Sequence, residues 1–197
     1  MIATRCALTM ILFTAMCGLA PAQQNPWTQV TLDLLEKRLP PAHLTDSQKR
    51  NIEKQVSGIA QHDSWQCTSE EDLTELRKGL LYEEIPLKAA EKTVIVTSGV
   101  GCARGGQGAN GAMWLFGVKA NQIHYLGELS GWGPGVLSAS HAGYRDLVTG
   151  WHMSAEETGL SYYRFNGKEY KRTDHADAVS SQDGSWKITP AQSTTLH

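Results

Sequence analysis

Several groups of residues in this 197-residue chain have the types from which protein chemistry is made. Four carboxylates come close together in sequence, Glu128, Asp146, Glu156 and Glu157. Two of them facing one cleft would suit glycoside hydrolysis, where the separation of the pair decides the stereochemical course. His141 and His152 flank Asp146, and neighbouring strands that brought them together would make a metal or general-base pair. The chain has no helical histidine pair with an intervening glutamate, no paired-cysteine knuckle and no calcium loop of alternating Asp and Asn, so no metal site is expected. Ser138 and Ser140 lie beside His141 without the glycine-flanked elbow that would expose a nucleophile, and no catalytic residue is assigned.

Glycine supplies the next feature. Positions 99, 101, 105, 106, 108 and 111 are all glycine, and Gly106, Gly108 and Gly111 have the spacing of a dinucleotide-binding turn. That turn must open a helix, whereas Ala112 to Phe116 reads as a strand. No lysine followed by serine or threonine supplies a phosphate loop, and no cofactor is expected. The segment reads as a loop pinned at Cys102, or as one that docks a partner. A second glycine-rich turn, Gly131 to Gly135, holds Trp132 between residues too small to bury it. An indole so placed offers a stacking surface for a sugar ring or an interface anchor, or else folds back on the end of a sheet. Trp27, Trp65, Trp114, Trp151 and Trp186 fall on predicted helices or strands and are read as core.

The elements that would position these residues change period near Leu80. Before it, Trp27, Val30, Leu34 and Leu35 have helical spacing in a segment stopped by Pro40 and Pro41. A second helix starts at Thr45, with Gln48 completing a capping box and Ile52, Val56, Ile59 and Ala60 on one face. A third starts at Thr68 with Glu71 as its box partner, has acids in its first turn and Arg77 and Lys78 in its last, and stops at Gly79. Those acids are cap and dipole partners and not a metal site. Beyond Leu80, strands are predicted over Thr93 to Thr97, Met113 to Val118, Ile123 to Leu129, Leu147 to Met153 and Leu160 to Phe165, with a hairpin at Asn166 and Gly167 leading into Lys168 to Lys171. Sequential strands joined by short turns imply an antiparallel meander.

The opening residues set the compartment. Arg5 precedes an uncharged apolar run from Cys6 to Ala20, and Ala20, Pro21 and Ala22 form a small-residue cleavage site, so residues 1–22 are expected to be a signal peptide and the mature chain to begin near Gln23. The run of about 15 residues is short for a membrane span, which needs about 20. Its removal leaves 17 basic against 20 acidic residues, and no basic block suggests a nucleic-acid partner. It also removes Cys6 and Cys17. The two cysteines that remain, Cys67 and Cys102, most simply pair in an oxidising compartment.

The stretch from Gly108 to Tyr170 carries Gly108-Ala109-Asn110 running into Trp114, then His141 to Leu147, then Tyr162 to Tyr170 with its turn at Gly167. In these runs it resembles a domain found in exported bacterial proteins of uncharacterised function. That domain places a second cysteine near the position of Gly111 or Ala112, which is absent here and leaves Cys67 as the partner of Cys102. The segment Gly143 to Thr149 is also similar to one blade signal of integrin-like propellers, but one unit does not make a propeller.

The expected fold is α+β, with helices over 23–79 packed on an antiparallel β-meander over 80–175 in one domain and a polar tail over 176–197, in which Ser185 to Ile188 could add a strand. The expected function is that of a periplasmic or secreted binding protein without catalytic residues, an inhibitor or immunity protein being one form. Its partner would be a protein or cell-envelope component, with no nucleic acid and no membrane span after cleavage. Irregular loops on a rigid sheet are where binding sits, and the contact residues are taken as Arg104, Gln107, Asn110, Trp132, His141 and Tyr144. The reading from a different class is a cell-envelope hydrolase using the acidic residues.

Overall fold

The structure is a computed structural model that describes residues 25–62, 65, 67–104, 110–120, 122–181 and 185–191. The expected signal peptide and Gln107 lie outside the described residues.

The strand β3, Gly111–Lys119, sets the layering. Its alternation sends Ala112, Trp114, Phe116 and Val118 to one face and Met113 and Leu115 to the other, and all six are buried. A strand apolar on both faces must be covered on both. On the first face lie two helices, α2 over Asp46–His62 and α3 over Glu70–Lys78, which contribute Ile52, Val56, Ala60, Leu73 and Leu76. On the second lies the remainder of the same sheet.

Eight strands make that sheet: β1 Leu80–Glu84, β2 Lys92–Ser98, β3, β4 Gln122–His141, β5 Tyr144–His152, β6 Glu157–Phe165, β7 Tyr170–Ser180 and β8 Trp186–Pro190. Each pairs antiparallel with the next in sequence. The 20-residue β4 pairs with β3 as far as Gly131 and with β5 from Trp132 onward. It thereby passes from one layer to the other. Gly131 has φ +110°, and a Cβ there would strike the Gly150 carbonyl, so only glycine fits the bend. Folded over, the sheet buries Ile95, Met113 and Leu115 against Leu147, Tyr163, Phe165 and Tyr170. The Arg145 amide donates to the Leu87 carbonyl at 2.9 Å and ties the β1–β2 connection to β5. The outer face of the second layer is covered by Trp27, Val30 and Leu35, which pack on Val148, Leu160, Tyr162, Ala176 and Ala178.

Strand accounts for 51% and helix for 22% of the described residues, so the molecule is an antiparallel sheet with a few helices and is more β-rich than the α+β expectation. Four local expectations shift. The helix predicted from Trp27 breaks into a 3-10 turn, Pro26–Gln29, and a short α1, Leu32–Leu35, because Asn25 and then Thr31 each cap the chain afresh. The third helix is capped one residue later, by Ser69 and Asp72 in place of Thr68 and Glu71. There the Asp72 amide donates to Ser69 Oγ at 3.0 Å and the Ser69 amide to Asp72 Oδ2 at 3.2 Å. This register keeps Cys67 outside the helix. The glycine-rich turn at 131–135 is the bend within β4, not a turn between strands. Strand continues past 175 through β7 and β8, and Ala176 and Ala178 are buried where a polar tail was expected.

Cys67 and Cys102 form a disulfide with Cα atoms 5.3 Å apart, fastening the start of α3 to the loop after β2. Closing a loop of 35 residues stabilises the fold by about 4 kcal/mol in the chain-entropy model. Cys67→Ser should therefore lower the denaturant midpoint substantially, with a steeper slope as the freed denatured chain exposes more surface. An unchanged midpoint would show that the bridge contributes no constraint.

Candidate functional site

The two glycine-rich segments meet in space. Arg104, Asn110 and Trp132 line one groove of about 370 Å³, between the loop after β2 and the bend of β4. Its third wall is the segment Glu36–Leu39 that follows α1, where Glu36, Lys37 and Arg38 are exposed.

Each of these side chains is placed by identifiable contacts. The Asn110 carboxamide reads the backbone of His152 twice: its Oδ1 accepts from the His152 amide at 2.9 Å and its Nδ2 donates to the His152 carbonyl at 3.3 Å. That side-chain pair substitutes for a strand neighbour at the end of β5. The Trp132 ring stacks on the His152 imidazole with centroids 4.8 Å apart and planes 12° from parallel. It also crosses Gly150, where a Cβ would approach Trp132 Cε2 to 2.6 Å. Trp132 is thus half-buried, and one face of the indole is already occupied by the protein itself. Its Nε1 is buried without a hydrogen-bond partner, a donor left on the wall of the groove. Arg104 is held at the backbone by its amide bond to Gly101 O at 3.2 Å and by a bridge to Gly111.

His141 and Tyr144 lie elsewhere, at the β4–β5 hairpin. His141 and His152 mark opposite ends of β5, about 25 Å apart at the rise of a strand, so the metal or general-base pair does not form. Among the described residues no group of three His, Cys, Asp or Glu side chains is arranged to hold a metal. His141 Nδ1 instead donates to Asp146 Oδ1 at 2.7 Å. Tyr144 is buried, and its hydroxyl donates to Glu91 Oε2 at 2.6 Å beneath the Lys88 ammonium, so it serves the packing of the two layers rather than a contact surface.

The carboxylates do not share a cleft. Asp146 is fully buried, bound by His141 and by the Tyr162 hydroxyl at 2.6 Å, with Arg164 Nε at 4.0 Å. Tyr162 belongs to the outer core under Trp27. Glu128 faces the other outer layer, where its two oxygens accept from the Trp65 indole at 2.6 Å and the Trp114 indole at 3.1 Å. Glu156 and Glu157 are exposed where β5 turns into β6. Of the tryptophans read as core, Trp27 and Trp114 are buried, Trp65 and Trp186 are half-buried and Trp151 is 40% exposed.

Sequence reasoning missed the Glu36–Leu39 wall and the role of His152. The wall carries no motif, since it is defined only by the packing of Leu35 beside Gly133. His152 has a signal in hindsight: a polar residue ends a buried strand where a neighbouring asparagine would otherwise lack partners.

No protein-family model, curated protein or solved structure matches the chain.

Burial, and then the hydrogen bond to Asp146, push the Tyr162 hydroxyl from an ordinary 10 up to about 12, with Arg164 opposing. Burial likewise raises Tyr82, Tyr144 and Tyr170. A group whose pKa is higher folded than unfolded stabilises the fold fully below the unfolded value and loses that contribution as pH rises through the folded one. The denaturant midpoint should accordingly fall as pH rises from 10 to about 12, and Tyr162→Phe should lessen the fall. An identical pH profile in the variant would refute the role given to this hydroxyl.

Proposed function

We propose that the protein is an exported, non-enzymatic binding module that docks a protein or cell-envelope component at the groove beneath the β4 bend. An inhibitor or immunity protein against a wall-degrading enzyme is the concrete form. The observation that carries this reading is the convergence of Arg104 and Asn110 from one glycine-rich segment with Trp132 from the other on one groove with an exposed charged rim. The Asn110 and Trp132 side chains are pre-ordered by His152, so a partner meets there a surface whose ordering cost has already been met within the fold. The resemblance of Gly108 to Tyr170 to an exported bacterial domain agrees with it, and so does the disulfide, since such bonds persist in oxidising compartments. The helical layers and the sheet are taken as one domain in the mature chain. A hydrolase loses its support here, because Glu128 and Asp146 are each engaged by other side chains, on separate outer layers.

Affinity capture from periplasmic extract tests the proposal. Arg104 is exposed, so Arg104→Glu should leave the fold intact while weakening retention of the captured component about tenfold. Equal retention by the variant and the unmodified protein would remove the groove from the binding surface.

A further inference from the structure

A second concavity lies away from that groove, where the folded sheet splays open. The strand registers define its floor. Trp151 pairs with Gly159 and Gly159 with Asp177; one row inward, Thr149 pairs with Ser161 and Ser161 with His175; inward again, Leu147 pairs with Tyr163 and Tyr163 with Arg172. The apolar row, Leu147 and Tyr163, belongs to the central core. The outer two rows are polar, and Trp151 ends them with 40% of its surface in water. Across from this floor stands α2. The result is a cleft of about 1190 Å³ between α2 and the strands β4, β6 and β7, which joins a pocket of about 620 Å³ under Trp151 through Ser130 and Arg172, common to both.

We propose that this furrow is a binding site for an acidic polysaccharide, a chain of sugar rings bearing carboxylates. Its volume exceeds what one small molecule fills and suits several sugar rings. Its charge is available to a ligand. Lys54 and Arg172 line the furrow and have no hydrogen-bond or ion-pair partner among the described residues. The acids near them are engaged: Glu169 pairs with Lys171 at 3.1 Å, and the oxygens of Glu128 accept from two indoles. At the far end Asp177, beside His175, is left to accept sugar hydroxyls. Trp151 supplies an aromatic face, and the Trp65 ring is held in place across from it by its bond to Glu128.

Gly58 is the independent observation. It lies in the interior of α2, faces the furrow and is exposed, and a Cβ there would meet nothing within 4 Å. Neither backbone conformation nor internal packing calls for glycine, although glycine weakens a helix interior. An open wall against a ligand accounts for it. An acidic peptide is the poorer occupant, because β4, β6 and β7 are each paired on both sides and offer no free edge for main-chain bonding.

The test is calorimetric titration of the full chain with hexasaccharides of galacturonate, mannuronate and alternating glucuronate, beside maltohexaose and hexaglutamate. At least one acidic hexasaccharide should bind, more weakly as salt rises, and maltohexaose should not. Arg172→Ala and Trp151→Ala should each weaken it about tenfold. Gly58→Ala should raise the unfolding temperature while weakening binding, a combination that a purely structural role cannot give. The proposal is overturned if no acidic hexasaccharide binds, if hexaglutamate binds as tightly, or if the variants bind like the unmodified protein. Arg104 lies at the other groove, so the fate of Arg104→Glu judges that reading separately.

Discussion

The constraint on which the molecule depends is that β2 and β3 are apolar on both faces. One sheet face can be left to water; two apolar faces demand two covers. The helices α2 and α3 supply one, through Ile52, Val56, Leu73 and Leu76. With 34 strand residues still to come in β5 to β8 and no helix there among the described residues, the other cover has to be sheet. The chain meets this by folding the sheet on itself at β4, and the glycines at 131 and 133, both at positive φ, are what make a continuous strand capable of that bend.

Both concavities follow from this fold. The groove at the β4 bend exists because a strand changing layers leaves its outer edge irregular, beside the segment that the disulfide fixes at Cys102. The wide furrow lies where the inner faces of the strands run on past the apolar core. Inner positions past Leu147, Tyr163 and Tyr170 turn polar, and no apolar layer closes over them. The buried Asp146 carboxylate, by contrast, is satisfied from two sides, by His141 and by Tyr162.

What could be read from the sequence was what is local. The Thr45–Gln48 capping box, the Gly79 stop and the strand alternation are properties of a few consecutive residues, and they stand as predicted. The Cys67–Cys102 disulfide was legible too, once Cys6 and Cys17 were assigned to an expected leader. The Ser69–Asp72 cap was missed because two boxes of identical spacing overlap there, and their sequence does not choose between them. For Trp132 the sequence left a contact role and packing at the sheet edge both open, since nothing near it in sequence reveals His152 beneath its ring. The furrow could not be read at all. It is written in strand registers, where a β-bulge at Tyr162 and Tyr163 decides that Arg172 and His175, rather than their neighbours, face inward.

One feature also bears on how the molecule is assembled over time. Every strand pairs with its neighbour in sequence, so the meander closes through short loops and can form progressively as the chain emerges. The segment of Trp27 to Leu35 is the exception: its packing surface is built from β4 to β7, ending at Ala178. The beginning of the described chain thus waits for its end, and the wall at Glu36–Leu39 comes with it. The groove under the β4 bend is therefore the last part to acquire its shape, and a chain truncated before β7 would carry the groove residues without ever forming the groove.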